Sequence, residues 1–186
     1  THIHFIEAYF RNKKLPFYMT REPGGTELGE KLRQLLLHEK MDALTETLLM
    51  FAARCEHIQT TIQPKLDEGI IVVSDRFTDA TYAYQAGGKG VDPQSIDVLK
   101  HLIQKDLEPD LTFLFDVPVE ISMERLKDTR AMDKFEREAP SFHQAIRTTY
   151  LELAQSDAKR FHVLDGTQSI PAIQEEIKNT LDRLTL

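Results

Sequence analysis

Two stretches of this chain set a guanidinium beside backbone that a ligand can approach. In Arg21-Glu22-Pro23-Gly24-Gly25-Thr26, the paired glycines let N–H groups come close to a ligand, and the arginine offers a fork of donors matched to phosphate or carboxylate. The same letters also describe a Pro-Gly turn carrying an exposed arginine. In Asp75-Arg76-Phe77-Thr78-Asp79, a carboxylate is followed at once by a guanidinium. An acid in that position can hold Mg2+, often through water, where phosphoryl groups are transferred; a surface ion pair is the plainer alternative. Directly after it, Thr81-Tyr82-Ala83-Tyr84-Gln85-Ala86-Gly87-Gly88-Lys89-Gly90 puts hydroxyl, aromatic and amide groups ahead of a glycine-rich loop. Tyr84 and Gln85 can read a sugar or base edge, or the stretch is an ordinary loop with one tyrosine in the core.

Further pieces are less committed. Met50, Phe51 and Arg54 lie at helical spacing, so an apolar plate beside a guanidinium can wall a nucleobase pocket, although an arginine with its stem along a helix face gives the same pattern. Arg125, Lys127, Arg130, Lys134 and Arg137 alternate with acids in the densest charge cluster of the chain. It is either a solvated helix face or a lid, about residues 125–140, whose cations close over a polyphosphate. The histidines show no metal-ligand spacing, Cys55-Glu56-His57 points its groups apart on a helix, and no Gly-x-Ser-x-Gly elbow occurs.

Short apolar runs alternating with helical patterns must position these groups. Strands are expected at 15–20, 69–74, 111–115 and 161–164. Helices are expected from Ile3, from a Thr26 cap, from Thr45 to about Leu66 with Pro64 loosening the last turn, and from an Asp92-Pro93 start. Three more follow, from Val119, around Phe142–Leu153, and at the C-terminus. Gly69-Ile70-Ile71-Val72-Val73-Ser74 is apolar on both parities, which predicts a strand covered on both faces. The pattern reads as an α/β fold, a three-layer, doubly wound parallel sheet with helices on both faces, in one domain over 1–186. In such sheets ligands bind beyond the carboxyl ends of the strands, where Arg21, Asp75 and Arg76 stand.

The composition narrows the partners. Thirty acidic against 23 basic residues leave a formal charge of −7, which argues against a duplex-nucleic-acid or anionic-membrane binder. One cysteine excludes a disulfide framework and fits a reducing, cytoplasmic setting, and no apolar run has the length of a membrane span.

Taken together, Arg21–Thr26, Phe51-Ala52-Ala53-Arg54, Asp75–Gln85 and Met132-Asp133-Lys134-Phe135-Glu136 resemble the thymidylate kinase family of P-loop nucleoside monophosphate kinases, in order and spacing. The resemblance implies ATP as phosphoryl donor to dTMP, Mg2+, and a homodimer. It implies that Arg21 and Arg76 hold the dTMP phosphate and that Asp75 organises the metal. Arg54 would bond a thymine carbonyl, with Phe51 or Met50 as the plate; Thr81, Tyr84 and Gln85 would line the base and deoxyribose pocket. Arg130 would touch the transferred phosphoryl, with Arg125 and Lys134 behind it, and Thr1 would lie on the ATP side.

No G-x-x-x-x-G-K-[ST] phosphate loop occurs in the chain, and Thr1–Ile6 resembles the helix that follows that lysine. A first strand and loop of roughly 15 to 20 residues are therefore expected ahead of Thr1, the strand lying between those that end at Asp75 and Asp116, for five in all. A natural chain without that strand would leave backbone groups unpaired. The complete protein is expected to have the loop, and the chain as given to lack kinase activity; a catalytically silent nucleotide-binding protein and a kinase for another deoxynucleotide are the rival expectations.

Overall fold

The structure is a computed structural model that describes residues 1–126 and 133–184. Four five-residue strands form where the apolar runs fall: β1 (Phe17–Arg21), β2 (Ile71–Asp75), β3 (Thr112–Asp116) and β4 (Phe161–Asp165). β1 pairs with β2 in parallel, setting Arg21 opposite Asp75, and β3 pairs with β4, setting Asp116 opposite Asp165. Among the described residues no ladder joins β2 to β3. That open edge explains a departure from expectation: Ile71, Val72 and Val73 are half-buried rather than sealed on both faces.

Helices α1 (His2–Lys13) and α9 (Ile170–Leu181) bury Ile6, Tyr9, Phe10, Ile173, Ile177 and Leu181 in one cluster. Phe17, Ile71, Val73, Phe113 and Phe115 pack against it, so a single layer spans both strand pairs. Between Phe113 and Phe115, Leu114 turns to the other side and meets Ile146 and Tyr150 of α8 (Pro140–Ser156) around a cavity. The period of two along β3 thus feeds two faces, which gives the three-layer α/β architecture.

Between the strands lie α2 (Glu27–His38), α3 (Ala43–His57), α4 (Gln63–Asp67), α5 (Thr78–Thr81), α6 (Pro93–Gln104) and α7 (Val119–Leu126). Thr26 caps α2 by accepting from the Gly29 N–H at 2.8 Å, and Asp92 caps α6 by accepting from Gln94 N at 3.0 Å. α3 begins before Thr45, because Asp42 accepts from Leu44 N at 2.8 Å. A π-helical turn over Ile58–Ile62 then leads into α4, with Pro64, which has no N–H to donate, in its first turn.

The glycine-rich stretch after Thr81 is not a loop. Tyr82–Gly88 continues α5 as a π-helical segment packed on α8. A Cβ on Gly87 would sit 2.1 Å from Thr149 Oγ1, and one on Gly88 2.4 Å from the Phe142 ring, so these glycines serve close helix approach. No helix among the described residues is long and apolar enough to cross a membrane.

Candidate active site

The carboxyl ends of β1 and β2 open onto a cleft of about 230 Å³ lined by Arg21, Glu22, Arg33, Met50, Arg54, Asp75, Arg76, Phe77, Thr81, Tyr84 and Gln85. The three arginines that the sequence singled out for a nucleotide therefore share one cavity. Arg76 turns there through left-handed backbone, φ 70°, and its carbonyl accepts from Ser74 Oγ at 2.7 Å. Its guanidinium lies 5.0 Å from the centre of the Tyr84 ring. Arg21 donates to Glu30 at 2.9 Å, and the same carboxylate accepts from Gly25 N at 3.1 Å, which ties the Gly-Gly turn to α2. Burial, together with nearby Arg21 and Arg76, pushes the Arg33 guanidinium below its usual value. Crowded cations of this kind are relieved by an anion.

A buried chain of hydrogen bonds fixes Arg54. Its Nε donates to Glu22 Oε2 at 2.7 Å and its Nη2 to Thr81 Oγ1 at 3.1 Å. The other oxygen of Glu22 meets His57 Nδ1 at 3.0 Å, and His57 Nε2 meets Thr20 Oγ1 at 2.7 Å. A carboxylate only accepts, so Nδ1 carries the proton toward Glu22. Arg54 and His57 lie three residues apart on α3, which puts both over the Glu22 turn. The guanidinium is stacked near Phe51, 4.7 Å, and Phe77, 5.3 Å. Its third nitrogen, Nη1, is buried without a hydrogen-bond partner among the described residues.

A second buried carboxylate, Glu46, stands one helical stretch earlier on α3. It accepts from Gln85 Nε2 at 2.9 Å and pairs with Lys89 at 2.8 Å and Lys134 at 2.7 Å. Burial raises its pKa, but Lys134, Lys89 and Gln85 outweigh that and hold the carboxyl below its usual range. Phe135, next to Lys134, is buried against Tyr84 and Phe142, and Asp133 caps the turn by accepting from Phe135 N and Glu136 N, each at 2.9 Å.

The thymidylate kinase family model matches residues 1–177. The chain belongs to the thymidylate kinase family. Thymidylate kinase of Methylobacillus flagellatus is 52% identical over 177 residues, covering 95% of this chain and 87% of the relative. That of Thiobacillus denitrificans is 50% identical over 185 residues, covering 100% and 91%. The crystal structure of thymidylate kinase from Ehrlichia chaffeensis superimposes with a TM-score of 0.78 at 32% identity, covering 97% of this chain and 89% of that one.

Within this family member, the residues named from sequence fall into three groups. Arg21, Met50, Arg54, Asp75, Arg76, Thr81, Tyr84 and Gln85 line the cleft. Phe51 does not: it is 1% exposed and packs with Val91 and Ile96, because the helix turns it away from the wall that Met50 supplies. Arg125 lies at the far pair of strands, where its Nη1 donates to Gly166 O at 2.8 Å, and Thr1 lies next to His2, which stacks on Phe115 at 5.1 Å. Lys134 does not stand free to meet a phosphoryl group, since it is paired with Glu46 and donates to Glu39 O at 3.1 Å. Arg130 is outside the described residues.

Sequence reasoning missed the roles of Arg33, Glu22, His57 and Glu46. Glu46 and His57 carried a usable signal, polar residues at 46, 47, 54 and 57 that fall on one side of a helix rich in apolar residues, which marks a polar inner face. Arg33 carried none, because one arginine on an amphipathic helix reads as surface.

Proposed function

We propose that this chain's site performs the transfer of the terminal phosphoryl of ATP to dTMP, giving dTDP for dTTP synthesis in the cytoplasm. The observation that carries this reading is the buried Nη1 of Arg54, without a partner among the described residues, at a cleft that also gathers Arg21, Arg33 and Arg76. A lone donor at one wall suits a base carbonyl, and clustered guanidinium groups suit a monophosphate. Met50 and Phe77 supply apolar walls for the base, and Thr81 and Tyr84 flank the sugar.

The donor side is proposed at β3, whose carboxyl end meets a neighbouring cavity that shares Tyr84 and His143 with the first. Arg125 and Thr1 stand at that side, and Arg130 is assigned to the transferred phosphoryl. Catalysis then consists of holding two phosphates in line and neutralising charge, with no covalent enzyme intermediate. Asp75 is exposed, and no group of three or more His, Cys, Asp or Glu gathers to hold a metal among the described residues. Mg2+ commonly takes one or two carboxylates and fills its shell with water and substrate phosphate, so a single Asp75 fits. When bound, the ion would neutralise phosphate charge.

Residues 1–186 are read as one kinase domain with a lid at about 125–140. A homodimer is supported by apolar side chains left exposed on two helices that pack together, Leu44 and Leu48 on α3 and Val98 and Leu102 on α6. Coupled ADP-release assays with dTMP, dUMP, dCMP and thymidine on the protein with its phosphate loop test the reading. dTMP should respond most strongly, and Arg76→Ala should weaken dTMP binding and turnover together. A stronger response to dCMP than to dTMP refutes the assignment.

A further inference from the structure

Glu46 touches neither of the proposed substrates, yet its chemistry reaches the cleft through Gln85. The Gln85 side chain is 1% exposed and lines the cleft, and its Nε2 donates to Glu46 Oε1 at 2.9 Å. Swapping the oxygen and nitrogen of an amide costs nothing in shape, so only its partners decide which end faces a ligand. Glu46 is fully buried, with Lys134 2.7 Å from Oε2 and Lys89 2.8 Å from Oε1. A carboxylate between two ammonium groups accepts hydrogen bonds and cannot donate one. One N–H of Gln85 is therefore given to Glu46, which sets the direction of the amide and leaves its carbonyl oxygen as the end that a base can meet.

Arg54 lines the same cleft, and its Nη1 is a buried donor without a partner among the described residues. A donor next to an acceptor complements a base edge that presents a carbonyl next to an N–H, as thymine and uracil do at O4 and N3. Cytosine presents an amino group next to a bare ring nitrogen, which opposes both protein groups. We propose that Glu46 is a positioning residue that sets the polarity of the Gln85 amide and so makes the site discriminate dTMP from dCMP. This rests on the function proposed above, whose substrate selection it explains. Lys134 lies within the stretch proposed as a lid, so the fold of the turn at 133–136 takes part in fixing how the base is read.

The test uses equilibrium binding, which needs no turnover. Dissociation constants for dTMP and for dCMP are measured by calorimetry on wild type, Glu46→Gln and Glu46→Asp, with thermal melts to establish folding. Glu46→Gln can donate as well as accept, so Gln85 is free to turn over. Glu46→Asp keeps the charge for both lysines but withdraws the acceptor from Gln85, and it serves should the first variant not fold. The ratio of the two dissociation constants should fall by about tenfold or more in each folded variant, since one mispaired buried hydrogen bond is worth on the order of that factor. A general loss of packing would weaken both nucleotides alike and leave the ratio unmoved. Wild type binding dTMP and dCMP equally overturns the underlying function, and a wild-type preference kept unchanged in the folded variants overturns the role of Glu46 alone.

Discussion

Replacing Arg54 by lysine separates the two tasks that the guanidinium performs. The ammonium keeps a positive charge for Glu22, whose other ion-pair partner among the described residues is His57, but it cannot also offer Nη2 to Thr81 and Nη1 to the cleft. The hydrogen bond lost to ligand is charge-assisted, worth about 1.5–3 kcal/mol, so the dissociation constant for dTMP should rise by about 10- to 150-fold. Arg54→Met removes the charge as well. It leaves the Glu22 carboxylate, 4% exposed, without its strongest partner, and breaking a buried pair in this way costs about 3–5 kcal/mol. At about 2–4 °C per kcal/mol for a chain of this size, the melting temperature should drop by roughly 6–20 °C. Calorimetric titration with dTMP and a thermal melt of each variant give the two readings. Should Arg54→Lys bind dTMP as tightly as wild type, the unpartnered Nη1 has no part in holding the base and the account of the cleft fails.

Two further outcomes follow from the same geometry. Gly25→Ala places a Cβ 2.3 Å from His57 Nε2 on backbone at φ 79°, so it should lower stability by about 1–3 kcal/mol, read in a melt, and weaken dTMP binding by displacing the support of Glu22. For Glu46, whose carboxyl lies below the ordinary value of 4.5, the stabilising contribution is complete above that value and is lost as pH falls through the lowered folded one. The melting-temperature difference between wild type and Glu46→Gln should therefore shrink between about pH 7 and about pH 3, and a difference that stays constant would count against a charged Glu46.

The strands were legible because each is a short β-branched or aromatic run between polar turns, and the period of two in Phe113-Leu114-Phe115 is enough to imply two helical layers. The guanidinium groups at the strand ends were legible for a related reason: a parallel sheet delivers Arg21 and Asp75 to the same edge whatever the loops do. Which of Met50 and Phe51 walls the cleft was not legible. Adjacent positions on a helix differ by about 100°, and the choice between them depends on how α3 rolls against α6, a tertiary quantity. The start of α3 was misplaced by the competition between Asp42 and Thr45, two good caps three residues apart, which only the hydrogen bond to Leu44 N resolves.

The glycines show most clearly where local reading stops. Gly24 and Gly25 have φ of 137° and 79°, and for them the sequence argument from backbone freedom holds. Gly87 and Gly88 belong to a helix, and they are small because Thr149 and Phe142 of α8 occupy the volume that a side chain would need. Nothing in the sequence tells the two kinds apart, since the partner residues lie more than fifty positions away. The consequence reaches the site: close approach of α8 sets the π-helical segment that carries Tyr84 and Gln85, while α3 supplies Arg54 to the cleft and Glu46 to the Gln85 amide. The base-reading end of the cleft is thus assembled from α3 and a π-helical segment whose seat on α8 is set by glycines outside the cleft, so a substitution at Gly88 should disturb Gln85 before it disturbs the phosphate-binding arginines of the strand ends.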